Sequence, residues 1–184
     1  MKKRIIIIGK AASGKDFLQK QLVSNGWIPL RQYTTRPKRP NETGDEYHFV
    51  SEEEFDSIRR KLMNVQSFVG WNYGYDIDEA LRSDVMIFSP ANYFAMMVSS
   101  DGRSRELVVG STIVYLDIDE DTRRSRLSKR YVGGTEDDPL ERRLRADAED
   151  FKFFDDMDWS ENLDGYVRLC NEEEVDKFLK KLLS

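Results

Sequence analysis

The 184-residue chain predicts an α/β fold with a mainly parallel sheet covered on both faces. Three observations carry this. Uniformly apolar runs, led by Ile5-Ile6-Ile7-Ile8, read as strands buried on both sides rather than as alternating, half-wet strands. Amphipathic stretches at helical spacing separate those runs, so strands and helices alternate. The first run passes directly into Gly9-Lys10-Ala11-Ala12-Ser13-Gly14-Lys15-Asp16, a Gly-x4-Gly-Lys pattern set between a strand and a helix.

In order, the first strand is Arg4 to Ile8 and the first helix runs from about Gly14 to Ser24, with Phe17, Leu18, Gln21 and Leu22 facing inward. Asn25-Gly26 stops it, and Trp27 to Leu30 reads as a short second strand. Arg31 to Pro40 is a basic, proline-punctuated loop, 41–46 is turn-rich, and Tyr47 to Val50 is strand-like. Ser51 and Glu54 form a capping box for a helix with Phe55, Ile58 and Leu62 on one face. Val65 to Val69 and Trp71 to Tyr75 read as strands around Gly70, and Asp78 to Leu81 as a short helix. Val85 to Ser89 is a second apolar run, and Pro90 starts a helix reaching about Ser99. Asp101 to Ser104 reads as a surface loop and Thr112 to Leu116 as the third core strand. Charged helices follow over Asp121 to Arg130 and Pro139 to about Phe154, separated by an acidic, glycine-bearing loop. Tyr166 to Leu169 is the last strand. Asn171 caps the final helix, Glu172 to Leu183, with acids at its start and lysines near its end, as the helix dipole favours.

Bulk properties narrow the function. The length suits one domain with inserted lobes. A formal charge of −5 argues against a nucleic-acid backbone as the main partner. Cys170 and His48 are the sole residues of their types, which excludes an internal disulfide and Cys- or His-based metal clusters. There is no run of about 18 apolar residues, so no membrane span is expected, and the basic N-terminus enters a strand rather than a signal peptide. The expected compartment is the cytoplasm.

Strand, glycine loop and helix together make an anion site. Backbone N–H groups of Gly9, Lys10, Ala11, Ala12, Ser13 and Gly14 wrap a phosphate, the helix dipole points at it, and Lys15 adds a point charge. Asp16 stands where such loops carry the Ser or Thr that holds Mg²⁺. Downstream, Tyr33-Thr34-Thr35-Arg36-Pro37-Lys38-Arg39-Pro40 puts two arginines three apart on a stiff loop. That loop suits a phosphate held by several donors, although an isolated basic loop is more often a solvated surface.

From Tyr33 to Ser51 the chain resembles the guanylate kinase family. It has a Thr-Thr-Arg-x-x-Arg loop, a glycine turn, then Tyr47-His48-Phe49-Val50 and a Ser-capped acidic helix. The order of elements resembles that family along nearly the whole chain. The resemblance implies a three-layer α/β/α P-loop core (about 1–31, 82–122 and 155–184), a monophosphate-binding lobe (about 32–81) and a helical lid (about 123–154). It implies γ-phosphoryl transfer from ATP to GMP or dGMP with Mg²⁺. By position, Lys15 and the loop from Gly9 to Asp16 match the ATP cradle. Arg36, Arg39, Tyr47 and Tyr73 match the acceptor-phosphate residues. Arg130 and Arg143 resemble the lid arginines that act in catalysis, and Asn171 resembles the asparagine near adenine, although it is equally explained as a helix cap.

The pattern departs at four places. Asp16 replaces the loop's Ser, Thr or Gly. Gln66 stands where the family reads guanine with a glutamate. Phe88-Ser89-Pro90 replaces an Asp-x-Asp, and Tyr75 replaces a serine after the Tyr-Gly pair. An amide offers one acceptor and one donor where guanine's two N–H groups suit a carboxylate. The extra acid suggests that Asp16 contributes an oxygen to Mg²⁺. The expectation is therefore a nucleoside monophosphate kinase acting on GMP or dGMP, with small-molecule nucleotides as partners. Its rivals are a kinase of other or broader nucleotide specificity, a non-catalytic binding module, and a kinase for a different phosphorylated small molecule.

Overall fold

The computed structural model describes residues 3–38, 42–68, 70–129, 139–157 and 165–184. A four-stranded, all-parallel sheet lies at the centre, in the order β6-β1-β7-β8. Its strands are β1 (Ile5–Gly9), β6 (Val85–Ile87), β7 (Thr112–Leu116) and β8 (Tyr166–Leu169). Alternation along β1 divides the core in two. Ile5 and Ile7 face α1 (Lys15–Ser24) and α8 (Glu172–Leu183) through Leu18, Leu22, Val175 and Leu179. Ile6 and Ile8 face the side of α4 (Pro90–Met97), α5 (Gly102–Val108) and α7 (Pro139–Asp156), with Tyr93, Met96, Leu107, Phe151 and Phe154. All four isoleucines are buried, which is why this run needed no polar face. Helix α6 (Glu120–Ser128) packs against α7 through Leu127 and Leu144, beside Ala12.

A second sheet has the order β3-β2-β5-β4. It comprises β2 (Gln32–Thr34), β3 (Tyr47–Phe49), β4 (Leu62–Phe68) and β5 (Trp71–Asp76). Helix α2 (Glu52–Ile58) follows β3, and α3 (Ile77–Arg82) follows β5. The capping box of α2 is complete. Glu54 N–H donates to Ser51 Oγ (3.1 Å), and Ser51 N–H to the Glu54 carboxylate (2.8 Å). β2 runs parallel to β3 and antiparallel to β5, and β4 pairs with β5 across a register shift between Met63 and Gln66. Asn64, with φ of 50°, sits in that shift. At Gly74 an added Cβ would come within 3.1–3.3 Å of Leu62 and Val65. Gly74→Ala is therefore expected to destabilise the protein by about 1–2 kcal/mol through overpacking, measured by urea unfolding.

Four sequence expectations change. Trp27 to Leu30 is not a strand but a single parallel bridge, Pro29 to Val85, because Ile28 and Leu30 each meet the sheet for only one or two hydrogen bonds. Phe17 points outward and is 52% exposed, so Leu18 and Leu22 alone bury the inner face of α1. Asp101 does not lie in a loop. Its carboxylate accepts from Arg103 and Ser104 N–H and starts α5, an Asp cap hidden among turn-forming residues. Leu62 opens β4 instead of finishing α2, whose last turn gives way to a 3-10 turn over Arg59–Lys61.

Candidate functional site

The loop between β1 and α1 is built as the glycine spacing requires. Gly14 has φ of 99°, a left-handed conformation that lets the chain turn into the helix. Ala12 adopts φ of 59°, which costs an alanine about 1 kcal/mol or more. Lys15 Nζ donates to the carbonyls of Gly9 (2.6 Å) and Lys10 (2.9 Å), so the ammonium lies over the loop's mouth. Gly9 cannot carry a side chain, since a Cβ there would lie 2.5 Å from Ser13 Oγ and 3.0 Å from the Leu116 carbonyl. Asp16 is exposed in the first turn of α1.

The Arg36 cluster lies in the second sheet. Arg36 stacks over the rings of Tyr47 (5.2 Å) and Phe49 (5.4 Å), and Tyr73 meets Tyr47 edge-on at 6.4 Å. Its guanidinium makes a two-pronged ion pair with Glu42 at 2.6 and 3.1 Å, and both side chains are nearly buried. Gln66 pairs in register with Tyr73 and therefore shares its face of the sheet. Burial pushes the Tyr47 phenol up. Arg36 opposes that shift, while Tyr73, Asp16 and Glu42 add to it. The charge of Asp16 in the glycine loop thus contributes to the upward shift of a tyrosine in the Arg36 cluster. The two threonine hydroxyl oxygens shape the loop. Thr34 Oγ1 accepts from Arg36 N–H (3.1 Å), and Thr35 Oγ1 accepts from Asn72 N–H (3.0 Å).

Arg39 and Arg130 lie outside the described residues. Arg143 lies on α7, where its Nε is 3.3 Å from Asp147. The Asn171 side chain is engaged at both ends by α8. Its oxygen accepts from Glu174 N–H (3.0 Å), and its nitrogen donates to the Glu174 carboxylate (3.1 Å). The cap reading thus accounts for it fully. Tyr75 is core. Its buried phenol donates to the Ile87 carbonyl, accepts from Asn92 Nδ2 and packs edge-on against Phe88.

Several residues around the loop escaped the sequence reading. Arg126 of α6 donates to the Ala12 carbonyl (2.9 Å) and pairs with Glu172 at the start of α8. Lys10 pairs with Asp155 (2.6 Å), which also accepts from the Tyr115 phenol. Asp147 accepts from Ala11 N–H (2.8 Å) and pairs with Arg123 (3.3 Å). One of these had a visible signal. Asp147 interrupts the apolar stripe Leu144, Phe151, Phe154 at helical spacing, which marks a buried carboxylate.

Among the described residues, no three His, Cys, Asp or Glu side chains gather as a protein-built metal cluster. A lone carboxylate beside a phosphate loop still fits Mg²⁺, which keeps several waters and takes one or two carboxylates plus substrate phosphates. Among the described residues, no helix is long and apolar enough to cross a membrane.

The chain is similar to known proteins both in sequence and in fold. The family model for Guanylate kinase matches residues 1–83. The chain is 31% identical over 109 residues to a guanylate kinase of Mycoplasmopsis pulmonis, covering 56% of this chain and 54% of that one. It is 33% identical over 87 residues to a guanylate kinase of Thermobifida fusca, covering 44% of each. The chain therefore spans about half the length of the curated relatives it matches. In structure, it resembles the guanylate kinase of Anaplasma phagocytophilum with a TM-score of 0.60 and 19% identity, covering 98% of this chain and 85% of that one. The first 83 residues thus resemble guanylate kinases in sequence, and the chain shares the guanylate kinase fold along its length.

Proposed function

We propose that this chain is an ATP-dependent nucleoside monophosphate kinase that transfers the γ-phosphoryl of ATP to GMP or dGMP. The observation that carries this reading is the glycine loop between β1 and α1, with Gly14 left-handed and Lys15 Nζ held over it by the Gly9 and Lys10 carbonyls. Gly9 to Lys15 grips the donor phosphates through groups other than the Ala11 N–H, which donates to Asp147. Arg36, Tyr47 and Tyr73, with Arg39, grip the acceptor phosphate. Arg143 and Arg130 meet the donor from the lid side. An acceptor phosphate is already an anionic nucleophile, so no general base is needed and the work is positioning and charge neutralisation. The core, monophosphate-binding lobe and lid keep the boundaries given above.

Asp16 would supply an oxygen to Mg²⁺, which would neutralise charge on the phosphates. Without a cation, a carboxylate there would repel them. Asp16→Ala is expected to raise the Mg²⁺ concentration for half-maximal rate about 10-fold or more, in line with losing one ligand. A Mg²⁺ titration identical to the parent's would mean that Asp16 only opens α1.

A second reading, broader base specificity, is favoured by Gln66. It brings an amide, not a carboxylate, alongside Tyr73. Comparing kcat/KM for GMP, dGMP, AMP, dAMP, CMP, dCMP, UMP, dUMP and dTMP separates the two. Guanine nucleotides lead on the first reading, and comparable values across bases support the second. A non-catalytic module would show no ATP-dependent rise in melting temperature.

A further inference from the structure

We propose that Asp147 is a positioning residue for the donor end of the site, fixing the glycine loop at Ala11 and aiming Arg143 across it. The proposal rests on the kinase reading above and concerns a residue that reading does not use. The Asp147 carboxylate is 2% exposed. Its Oδ2 accepts from Ala11 N–H at 2.8 Å and lies 3.3 Å from an Arg123 terminal nitrogen. Its Oδ1 lies 3.3 Å from Arg143 Nε. Arg123 is itself buried and donates from Nε to the Ile118 carbonyl at 3.2 Å, so it is anchored where β7 leads into α6.

Stability alone does not explain this carboxylate. It occupies one place in the stripe Leu144, Phe151, Phe154, and apolar side chains of similar volume in place of the whole buried Asp147–Arg123 pair would serve the core at least as well. What the charge does is geometric. It ties helix α7 to the glycine loop at one point, and Lys10 with Asp155 ties the same helix two turns later. Between these ties Phe151 and Phe154 enter the main core, so the register of α7 against the loop is fixed. Arg143 lies one turn before Asp147 on the same face. The contact uses Nε and does not consume the two terminal nitrogens that a phosphate takes in parallel. Asp147 thus turns a long, flexible arginine into an oriented one at the loop's rim, and orientation of this kind controls rate steeply.

The test is a double-mutant cycle on the full chain with Asp147→Asn, Asp147→Leu together with Arg123→Met, Arg143→Ala and the combinations. Asp147→Asn is expected to lower kcat about 30- to 100-fold, the scale of a misplacement near 1 Å, with the acceptor KM unchanged. Asp147→Leu combined with Arg123→Met, which leaves no orphaned buried charge, is expected to melt no lower than the parent, yet to lose the same activity. Adding Arg143→Ala to either is expected to cost less than about 3-fold more, since residues acting as a unit are not additive. Additive losses, or parental kcat in both Asp147 variants, would overturn the proposal while the kinase reading stands. If the parent phosphorylates no nucleoside monophosphate, the kinase reading falls instead. The cycle is then read on the dissociation constant for ATP, where coupling of Asp147 with Arg143 supports the positioning role and its absence overturns it.

Discussion

Lys15→Ala is expected to reduce ATP-dependent turnover by about two to three orders of magnitude, the effect of removing a preorganised charge aimed at the transferring group. Lys15 Nζ is fixed over the loop by the Gly9 and Lys10 carbonyls, so its charge is in place before the nucleotide arrives. Such preorganisation needs no rearrangement during reaction, which is why its loss falls on kcat as well as on ATP binding. Lys15 is only partly buried, and its bonds to two carbonyls at the loop mouth are replaceable by water. The variant should therefore unfold within about 1 kcal/mol of the parent. Steady-state kinetics and the ATP-induced rise in melting temperature measure both effects. A variant that keeps kcat within a few-fold would remove Lys15 from the chemistry.

Arg36→Ala has two expected consequences that a second substitution separates. The first is weaker acceptor binding, with KM raised about 10- to 100-fold, the range for losing charge-assisted hydrogen bonds to a phosphate. The second is destabilisation by about 2–3 kcal/mol, because Glu42 is left nearly buried without its partner. Adding Glu42→Gln removes the orphaned charge. The double variant should regain most of the stability and none of the acceptor affinity. If affinity returned with stability, Arg36 would be a structural residue and the acceptor cradle would have to lie elsewhere.

The main sheet was readable because each of its signals was local. Four consecutive isoleucines can only be buried on both faces, and β1 places alternate members in two separate cores. The Ser51 capping box and the Ser89-Pro90 helix start obey short-range rules and form as expected. The start of α5 was missed because Asp101-Gly102 satisfies turn chemistry and cap chemistry equally well. Phe17 was misplaced because a single apolar residue in a ten-residue helix says little about which side the sheet lies on.

At the site, sequence identified residues by type but not by partner. Lys15 lies over the glycine loop, and Arg36, Tyr47 and Tyr73 cluster on the second sheet, yet nothing in their spacing announces that Glu42 engages Arg36. Contacts over long sequence separations, such as Ala11 to Asp147 and Lys10 to Asp155, come from the way α7 crosses back over the loop. They depend on packing, not on pattern. The threonines show the converse. They lie in the loop expected to meet a phosphate, and the fold uses both hydroxyl oxygens to brace the arginine's own loop.

The most direct test of the central claim follows the phosphoryl group itself. The protein is incubated with ATP labelled in its γ-phosphate, Mg²⁺ and each nucleoside monophosphate in turn, with the Lys15→Ala variant as control. The account predicts label in a nucleoside diphosphate, most strongly with GMP or dGMP, together with equimolar unlabelled ADP, and initial rates about two to three orders of magnitude lower for both products with the variant. Folded protein whose melting temperature rises with ATP, but which labels none of the monophosphates, would contradict it.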